Sequence, residues 1–380
     1  MAYVAPVDLP SPRAHAVQVM KNAQAWAKAS ETFELIANLS PARWGALDLR
    51  RLADYYGLSH PFPIVAYPLY PLENSSRRAW RGLFYRLAAW RCARQRVELV
   101  YTRSSLLPGF ALAHGLPVLA ELHAPPAEGK MDQQEFLDAA RHPLFRGIVT
   151  ISQPLADRYE AVGVPREKLL VLPDGVDLER FAAPLSREAA RSALGLPQSG
   201  TLAVYAGHLY EGRGVETILA AASRLPEVAF LFAGGLTGDV ARWRQKAGGL
   251  ANVQFTGYLE NHRIPPYLWA ADLLLMPYGR GCPTVEWMSP LKMFEYMAAE
   301  RPIVGTDLAA VRWVLRPGES AWLVPPDDGE ALVEGIRRVA GDGALGERLA
   351  TQARLDVEEY CWDRRVERMK AYLAAPSPSE

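Results

Sequence analysis

The sequence predicts an α/β fold made of two doubly wound domains with parallel sheets. The chain has 380 residues, of which 49% are apolar, and this is enough for two hydrophobic cores. Short apolar segments alternate with longer segments of helical periodicity, as in parallel sheets that helices cover on both faces. This alternation occurs twice, with a break at 174–185 that contains Gly175 and Pro184.

The predicted strands are short and almost wholly apolar, which is typical of strands buried on both faces of a sheet. In the first half of the chain they are 2–5, 33–37, 64–67, 99–101, 118–122, 147–151 and 169–172. In the second half they are 202–206, 229–233, 253–255, 273–276, 303–305 and 321–324. The helical patterns between them include 15–29, 154–162, 214–223, 291–299 and 329–339.

The break in the alternation predicts the domain boundary. We expect an N-terminal Rossmann-like domain at 1–177 and a C-terminal one at 178–360, facing each other across a central cleft. The last helix, 361–374, is amphipathic and could either close the second domain or return to the first. Ligands of doubly wound sheets bind at the carboxyl ends of the strands. Functional residues are therefore expected in the loops that follow the strands.

The composition disfavours several classes of protein. Lys plus Arg and Asp plus Glu both number 42, so the chain lacks the basic surplus of a nucleic-acid-binding protein. Its three cysteines and seven histidines are scattered, which predicts a reducing compartment, no disulfide framework and no metal site. No basic segment followed by an apolar stretch begins the sequence, and no apolar run is long enough to span a membrane. We therefore expect a cytoplasmic protein.

The most informative segment is SPLKMFEYMAAERPIV at 289–304, which indicates a loop, a helix, a turn and a strand. Pro290 suits a helix start, and the first N–H groups of a helix are unpaired and partly positive. Ser289, Leu291 and Lys292 would thus form a site suited to a diphosphate. Glu295 follows about one turn later and could accept hydrogen bonds from a ribose. The alternative is an ordinary amphipathic helix with Glu295 on its solvated face.

A second segment, GHLYEGRG at 207–214, lies between a predicted strand and a predicted helix. Its three glycines would allow close backbone approach to a ligand. It also carries His208 and Arg213, and the planar guanidinium of Arg213 matches phosphate oxygens well. A plain connection between strand and helix is an equally good interpretation of the glycines.

Both segments resemble motifs of the retaining glycosyltransferases of family four. Segment 289–304 is similar to the donor-binding segment of that family, and 207–214 is similar to its GRL-x-x-x-KG motif. The resemblance covers nearly the whole chain and is weakest at about 40–95. It implies the GT-B fold and transfer of a sugar, with retention of configuration, from a UDP- or GDP-linked donor to a hydroxyl acceptor. No metal-binding cluster is visible in the sequence, and the basic residues could replace a cation, so we expect neither a metal nor a cofactor.

The resemblance assigns roles to individual residues. It implies that His208, Arg213, Ser289, Leu291 and Lys292 bind the diphosphate of the donor. Domain closure around that donor would exclude water, which otherwise competes as acceptor.

The resemblance also implies roles for three further residues. Glu295 matches the glutamate that holds the ribose, and Tyr258 and Leu259 follow the strand whose edge lies beside the base. The alternative for 253–259 is a buried strand followed by a turn.

The strand 118–122 leads into His123, which matches a family histidine that faces the reacting sugar. This makes His123, Arg213 and Glu295 the candidate catalytic residues. A lone histidine, however, is more often structural than catalytic.

Two departures from the family pattern concern the sugar. Family members commonly carry two glutamates in an E-x(7)-E pattern, but the position eight residues before Glu295 is Trp287, and Glu286 is one residue away. The loop after the first strand lacks paired glycines and offers Arg13 and His15 instead. Together with Gly234, the residues Arg13, His15 and Glu286 are candidate contacts to the donor sugar or the acceptor.

The segment 76–96 is the one local excess of positive charge. Aromatic and aliphatic side chains interrupt a run of arginines: Arg77, Arg78, Arg81, Arg86, Arg91, Arg94 and Arg96. A basic helix with an aromatic face can lie on an anionic membrane. The favoured alternative is a helix with its apolar side in the core and its arginines in water. Under the membrane interpretation the enzyme works at the inner face of the membrane on a lipid or lipid-linked acceptor.

Two rival functions fit the same fold. One is a nucleotide-sugar epimerase, which needs no acceptor and which a pair of carboxylates across the donor would favour. The other is a non-catalytic protein that binds nucleotide sugars. The sequence does not identify the base, the sugar, the acceptor or the oligomeric state.

Overall fold

The computed structural model describes residues 1–70, 77–126 and 131–375, with the backbone alone described at 77–81 and 131–133. The chain divides into two compact units. The first comprises Met1–Pro173 together with the segment from Trp362 onward, and the second comprises Asp174–Cys361. The division falls at the start of the segment where the sequence pattern breaks.

The first unit is built on a sheet of seven parallel strands in the order β3-β2-β1-β4-β5-β6-β7. The strands are β1 (Ala2–Ala5), β2 (Glu34–Asn38), β3 (Ile64–Tyr67), β4 (Val100–Thr102), β5 (Val118–Leu122), β6 (Phe145–Thr150) and β7 (Leu169–Val171). Its helices are α1 (Ala14–Ala29), α2 (Pro41–Trp44), α3 (Leu49–Tyr56), α4 (Arg77–Arg94), α5 (Leu107–Ala113), α6 (Met131–Arg141) and α7 (Gln153–Ala161). A 3₁₀ turn, Arg166–Lys168, precedes β7.

The second unit has six parallel strands in the order β10-β9-β8-β11-β12-β13. They are β8 (Thr201–Ala206), β9 (Val228–Ala233), β10 (Val253–Gly257), β11 (Leu273–Met276), β12 (Ile303–Thr306) and β13 (Trp322–Val324). The helices are α8 (Arg187–Leu194), α9 (Val215–Arg224), α10 (Thr237–Ala247), α11 (Pro265–Trp269), α12 (Leu291–Ala298), α13 (Ala309–Arg312), α14 (Gly329–Gly341) and α15 (Gly343–Asp356). Single 3₁₀ turns lie at Leu178–Phe181, Asn261–Arg263 and Val357–Tyr360.

Alternation along the strands of the second unit creates two hydrophobic cores, one on each face of the sheet. Val204 of β8 packs into a cluster with Phe294, whereas its neighbour Tyr205 points to the opposite cluster with Trp243. Successive side chains of a strand point to opposite faces, so a strand buried on both faces must be apolar throughout. This confirms the two doubly wound sheets and the predicted strands. The ends of the strands differ slightly from the prediction. For example, the predicted strand 147–151 is observed as Phe145–Thr150, because Phe145 already pairs with Val118.

The last helix, α16 (Trp362–Ala374), belongs to the first unit, which answers the question that the sequence left open. Arg365 donates to the carbonyl oxygen of Pro173 at 2.9 Å, and Lys370 donates to that of Ala29 at 2.8 Å. Tyr372 donates to the carbonyl oxygens of Arg146 and Glu167, both at 3.0 Å. These bonds fix both ends of the helix to elements of the first unit.

Helix α4 carries the basic segment. Ser76 and the side chains of Arg77, Arg78, Trp80 and Arg81 lie outside the described residues. In the described part, Phe84 and Tyr85 are buried in the core, while Leu83 is 43% exposed and Trp90 is 51% exposed. The helix therefore has an apolar inner face and a second apolar strip on its outer face. Within the described ranges, no helix combines the length and hydropathy needed to cross a bilayer.

Candidate functional site

Helix α12 begins at Leu291, and its N-cap residue, Pro290, offers no side-chain hydrogen bond to the first turn. Its first N–H groups are therefore available to an external anion. Ser289, just before the helix, accepts a hydrogen bond of 2.8 Å from the backbone N–H of Asp174. The Ser289 oxygen thus fixes the local chain path, and its O–H group can still donate to a ligand.

Lys292, the second residue of α12, is half-buried, but its Nζ atom is buried and has no hydrogen-bond partner among the described residues. The Nζ atom lies 3.5 Å from the centroid of the Tyr205 ring and 5.6 Å from that of Tyr278. Burial, reinforced by the charge of Arg213, holds the pKa of Lys292 well below its ordinary value. A buried cation without a hydrogen-bonded anion is costly, so this site is suited to receive a negatively charged group.

Arg213 lies beside Lys292, and its Cζ atom is 5.2 Å from the centroid of the same Tyr278 ring. Gly207 borders Lys292, because a Cβ atom built on it would lie 3.1 Å from Lys292 Nζ. The structure therefore brings together two segments that the sequence predicted separately, namely the glycine loop with Arg213 and the start of α12. Phosphate oxygens could accept hydrogen bonds from both cations there.

The glycines of this loop are required by close backbone contacts. Gly214 has a φ of +82°, and a Cβ atom on it would lie 1.7 Å from the carbonyl oxygen of Pro277. Gly234, at the end of β9, has a φ of +126°, and its Cβ would lie 2.6 Å from the carbonyl oxygen of Gly207. Gly234 is thus adjacent to Gly207 of the glycine loop. His208, in the same loop, stacks on Tyr210 with ring centroids 4.9 Å apart.

Glu295 is tied to two residues that sequence reasoning did not identify. Arg180 donates to Glu295 Oε1 at 3.0 Å, and Asn261 donates to the same oxygen at 3.1 Å. The Glu295 side chain is only 14% exposed, so it does not lie on a solvated helix face. Among the described residues, both hydrogen bonds to the carboxylate reach Oε1.

The remaining predicted residues of the second unit are less enclosed. Tyr258 is 39% exposed and follows Gly257, while Leu259 is half-buried against the core. Glu286 is exposed, and Trp287, at the position of the family's first glutamate, is half-buried. The carboxylate of Glu295 raises the pKa of Lys292 and so opposes the effect of burial and of Arg213.

The first unit contains a cavity of about 440 Å³ at the carboxyl end of its sheet. His15, His123 and Arg103 line it, and Arg13 is exposed and does not. Arg103 donates a hydrogen bond to His15 Nδ1. Burial, followed by the charges of Arg103 and His123, lowers the pKa of His15 from 6.5 to about 3. His15 is therefore neutral in the folded protein, and it keeps Arg103 at the cavity.

Behind His123 lies a buried network centred on Glu121 of β5. Glu121 Oε1 lies 2.6 Å from His123 Nε2, and Arg365 donates to Glu121 Oε2 at 2.8 Å. Gln18 and Asn22 of α1 also donate to this carboxylate, at 2.5 and 3.2 Å. Burial alone would raise the pKa of Glu121, but Arg365 and His123 lower it to about 2. The carboxylate is thus ionised and fixes the orientation of the His123 ring.

Glu121 could have been found in the sequence as the one charged residue within an otherwise apolar strand. Nothing local to Arg103, Arg180, Asn261 or Arg365 indicates a role in a site, because their partners are distant along the chain.

Comparison with known proteins identifies a family for both units of the chain. The sequence model of glycosyltransferase family 4 matches residues 16–180, and that of the group 1 glycosyl transferases matches residues 200–342. The phosphatidyl-myo-inositol mannosyltransferase of Mycolicibacterium smegmatis is 30% identical over 230 residues, which cover 58% of this chain and 55% of that protein. The putative teichuronic acid biosynthesis glycosyltransferase TuaC of Bacillus subtilis is 32% identical over 44% of this chain and 40% of its own length. The chain thus spans about half the length of these relatives.

Two solved structures share the fold of the chain. Anabaena HepE in complex with UDP and glucose has a TM-score of 0.72 at 16% identity, covering 97% of this chain and 99% of its own. Sucrose-phosphate synthase from Thermosynechococcus elongatus has a TM-score of 0.75 at 19% identity, covering 98% of both chains. At such identities the likeness concerns the fold alone.

Proposed function

The chain belongs to family four of the glycosyltransferases, the group 1 type with the GT-B fold, and on that basis we propose that it transfers a sugar from a nucleotide-diphosphate sugar to a hydroxyl acceptor. A UDP- or GDP-linked donor is proposed, with retention of the anomeric configuration. The product would be a glycan, a glycolipid or a glycoside.

The observation that carries this proposal is the buried, unpartnered ammonium group of Lys292 at the start of α12. It lies next to Arg213, so two cations and the free N–H groups of a helix start occupy one place. A diphosphate would supply the negative charge and the hydrogen-bond acceptors that these cations and N–H groups can bind. Glu295, one turn further along α12, would accept a ribose hydroxyl through Oε2.

The proposed catalysis is electrostatic. When the bond between the sugar and the diphosphate breaks, negative charge grows on the leaving phosphate oxygen. Lys292, Arg213 and the start of α12 would stabilise that charge from fixed positions, which is a direct way to lower the barrier. These cations would take the part that a metal ion plays in other transferases, and the reaction is proposed to need no metal.

His123 is proposed to contact the transferred sugar. Its ring is fixed by Glu121, and it lines the cavity of the first unit together with Arg103. That cavity is proposed to admit the acceptor. An ionised, fully buried Glu121 keeps the His123 ring in one orientation, which a positioned contact to a substrate requires.

The outer face of α4 is proposed to contact a membrane. Leu83 and Trp90 are exposed there, and Arg86 and Arg94 are exposed on the same helix. Apolar side chains flanked by arginines suit the surface of an anionic bilayer. The proposed location is the cytoplasm, at the inner face of the membrane.

Calorimetry with UDP, GDP and ADP, each with and without EDTA, tests the donor site. We expect one diphosphate to bind best, EDTA to leave its affinity unchanged, and Glu295→Ala to weaken it. Glu300→Ala is the matched control, since Glu300 follows the same helix but does not share the hydrogen bonds of Glu295. Absence of binding by all three nucleotides would overturn the proposal, and binding without turnover of any donor would favour a non-catalytic binding protein.

A further inference from the structure

Two cavities of the first unit adjoin each other. The cavity at His123 and a larger groove of about 1030 Å³ between α4, α5 and α6 share three lining residues: Ser105, Leu106 and Phe136. A molecule longer than the first cavity can therefore continue into the groove.

The two spaces differ in chemistry. Among the described residues, the lining of the smaller cavity includes Arg103 and two histidines and no acidic side chain. The groove is lined mainly by carbon, with Leu83, Leu87, Trp90 and Phe110 on its walls. Arg86, His114 and Glu135 also line it, and they leave its walls without an excess of negative charge.

The apolar walls remain accessible to water in part. Leu83 and Trp90, both on α4, are about half exposed, although α4 buries Phe84 and Tyr85 in the core. Surface that is apolar, concave and continuous with a polar cavity is typical of sites for elongated amphiphilic ligands.

We propose that the acceptor is an anionic lipid whose charged head group enters the cavity at Arg103 and His123, while its hydrocarbon chain lies in the groove of α4, α5 and α6. The inference rests on the proposed transferase function, since it makes this cavity the acceptor site. It names the class of acceptor and assigns the groove as a chain-binding site.

Alkyl phosphates of increasing chain length, used below the concentration at which they form micelles, test the groove by calorimetry on the full chain. We expect the affinity to rise about fourfold for each methylene that enters the groove, until the groove is filled. Alkyl carboxylates are expected to show the same dependence on chain length, and alkyl glucosides with equal chains are expected to bind more weakly because they lack the charge.

Gly109→Leu provides a variant that obstructs the groove without disturbing the core. Gly109 lines the groove on α5, and a Cβ atom built on it meets no atom within 4 Å. The added side chain is expected to abolish the dependence on chain length while short alkyl phosphates still bind. Gly238→Leu is the matched control, because Gly238 lies in the first turn of α10 with equally open surroundings.

Arg103→Gln tests the other half of the site. This change should weaken the binding of every alkyl phosphate by the same factor, so that alkyl phosphates no longer bind better than alkyl glucosides. Affinity that does not depend on chain length in the wild type, or that persists in Gly109→Leu, would overturn the inference. Nucleotide binding, measured on the same samples, separates this result from failure of the proposed transferase function.

Discussion

Arg365 Nη1 lies 2.8 Å from Glu121 Oε2, and both side chains are buried. The two residues are 244 positions apart, one on the last helix and one in the middle of β5. The pair connects α16 to the carboxylate that orients His123. It thereby makes the position of a candidate catalytic ring depend on the C-terminal helix.

Replacing one partner of this pair should destabilise the protein more than the combined replacement of both would suggest. Arg365→Met leaves the Glu121 carboxylate buried without its main partner, and we expect the free energy of unfolding to fall by about 3–5 kcal/mol. The double variant Arg365→Met with Glu121→Gln should lose clearly less than the sum of the single variants. Urea denaturation of the four proteins measures this coupling, and purely additive losses would contradict it.

Replacing Lys292 should separate stability from binding. Lys292→Met removes a buried ammonium group without a hydrogen-bond partner, so the unliganded protein should gain about 1–3 kcal/mol of stability. The same change should weaken the binding of the nucleoside diphosphate by roughly ten- to a hundredfold. Thermal melts and calorimetry measure the two effects. Lys246→Met is the matched control, because Lys246 also lies over an aromatic ring, that of Trp243, but is exposed.

The protein should lose stability in mild acid because of His15. Burial and the nearby cations lower its pKa from 6.5 to about 3 in the folded protein, so the unfolded chain binds the proton first. Stability is full above about pH 6.5 and falls below it by at most about 1.4 kcal/mol per pH unit. Glu121, whose folded pKa of about 2 lies below its ordinary 4.5, adds to the loss only in stronger acid. Urea denaturation between pH 7.5 and pH 5 should show a smaller decline in His15→Gln; an identical decline would rule His15 out as its cause.

Gly214→Ala should disrupt the glycine loop. The added methyl group would collide with the carbonyl oxygen of Pro277, and the φ of +82° is unfavourable for alanine. We expect a loss of about 1–3 kcal/mol in stability together with weaker diphosphate binding, since the loop leads directly to Arg213. Gly238→Ala, which meets open space in a helix, should be neutral or slightly stabilising. Equal behaviour of the two variants in thermal melts would contradict this account.

The strands of both sheets could be predicted because a strand buried on both faces needs apolar residues at every position, and such runs are visible locally. Motifs likewise predicted the glycine loop with Arg213 and the start of α12, because each motif lies within one short segment of the sequence. The partners of Glu295 could not, since Arg180 lies 115 residues away from it and Asn261 lies 34 residues away. The cavity at His123 could not be predicted for a related reason. Arg103 is held at that cavity by His15, which is 88 residues earlier in the sequence. Periodicity describes a single element, whereas such pairings arise only from the packing of distant elements.

The return of the last helix to the first unit has a consequence for the order in which the protein is made. During synthesis, residues 1–173 leave the ribosome long before Arg365 does, and the whole of the second unit is made in between. Until then Glu121 has no arginine to neutralise it, so the first sheet can form but the carboxylate and His123 are not yet held in their final arrangement. Domains generally fold in the order of their synthesis. In this chain the unit that is made first is completed last, because its final helix is made only after the whole of the second unit.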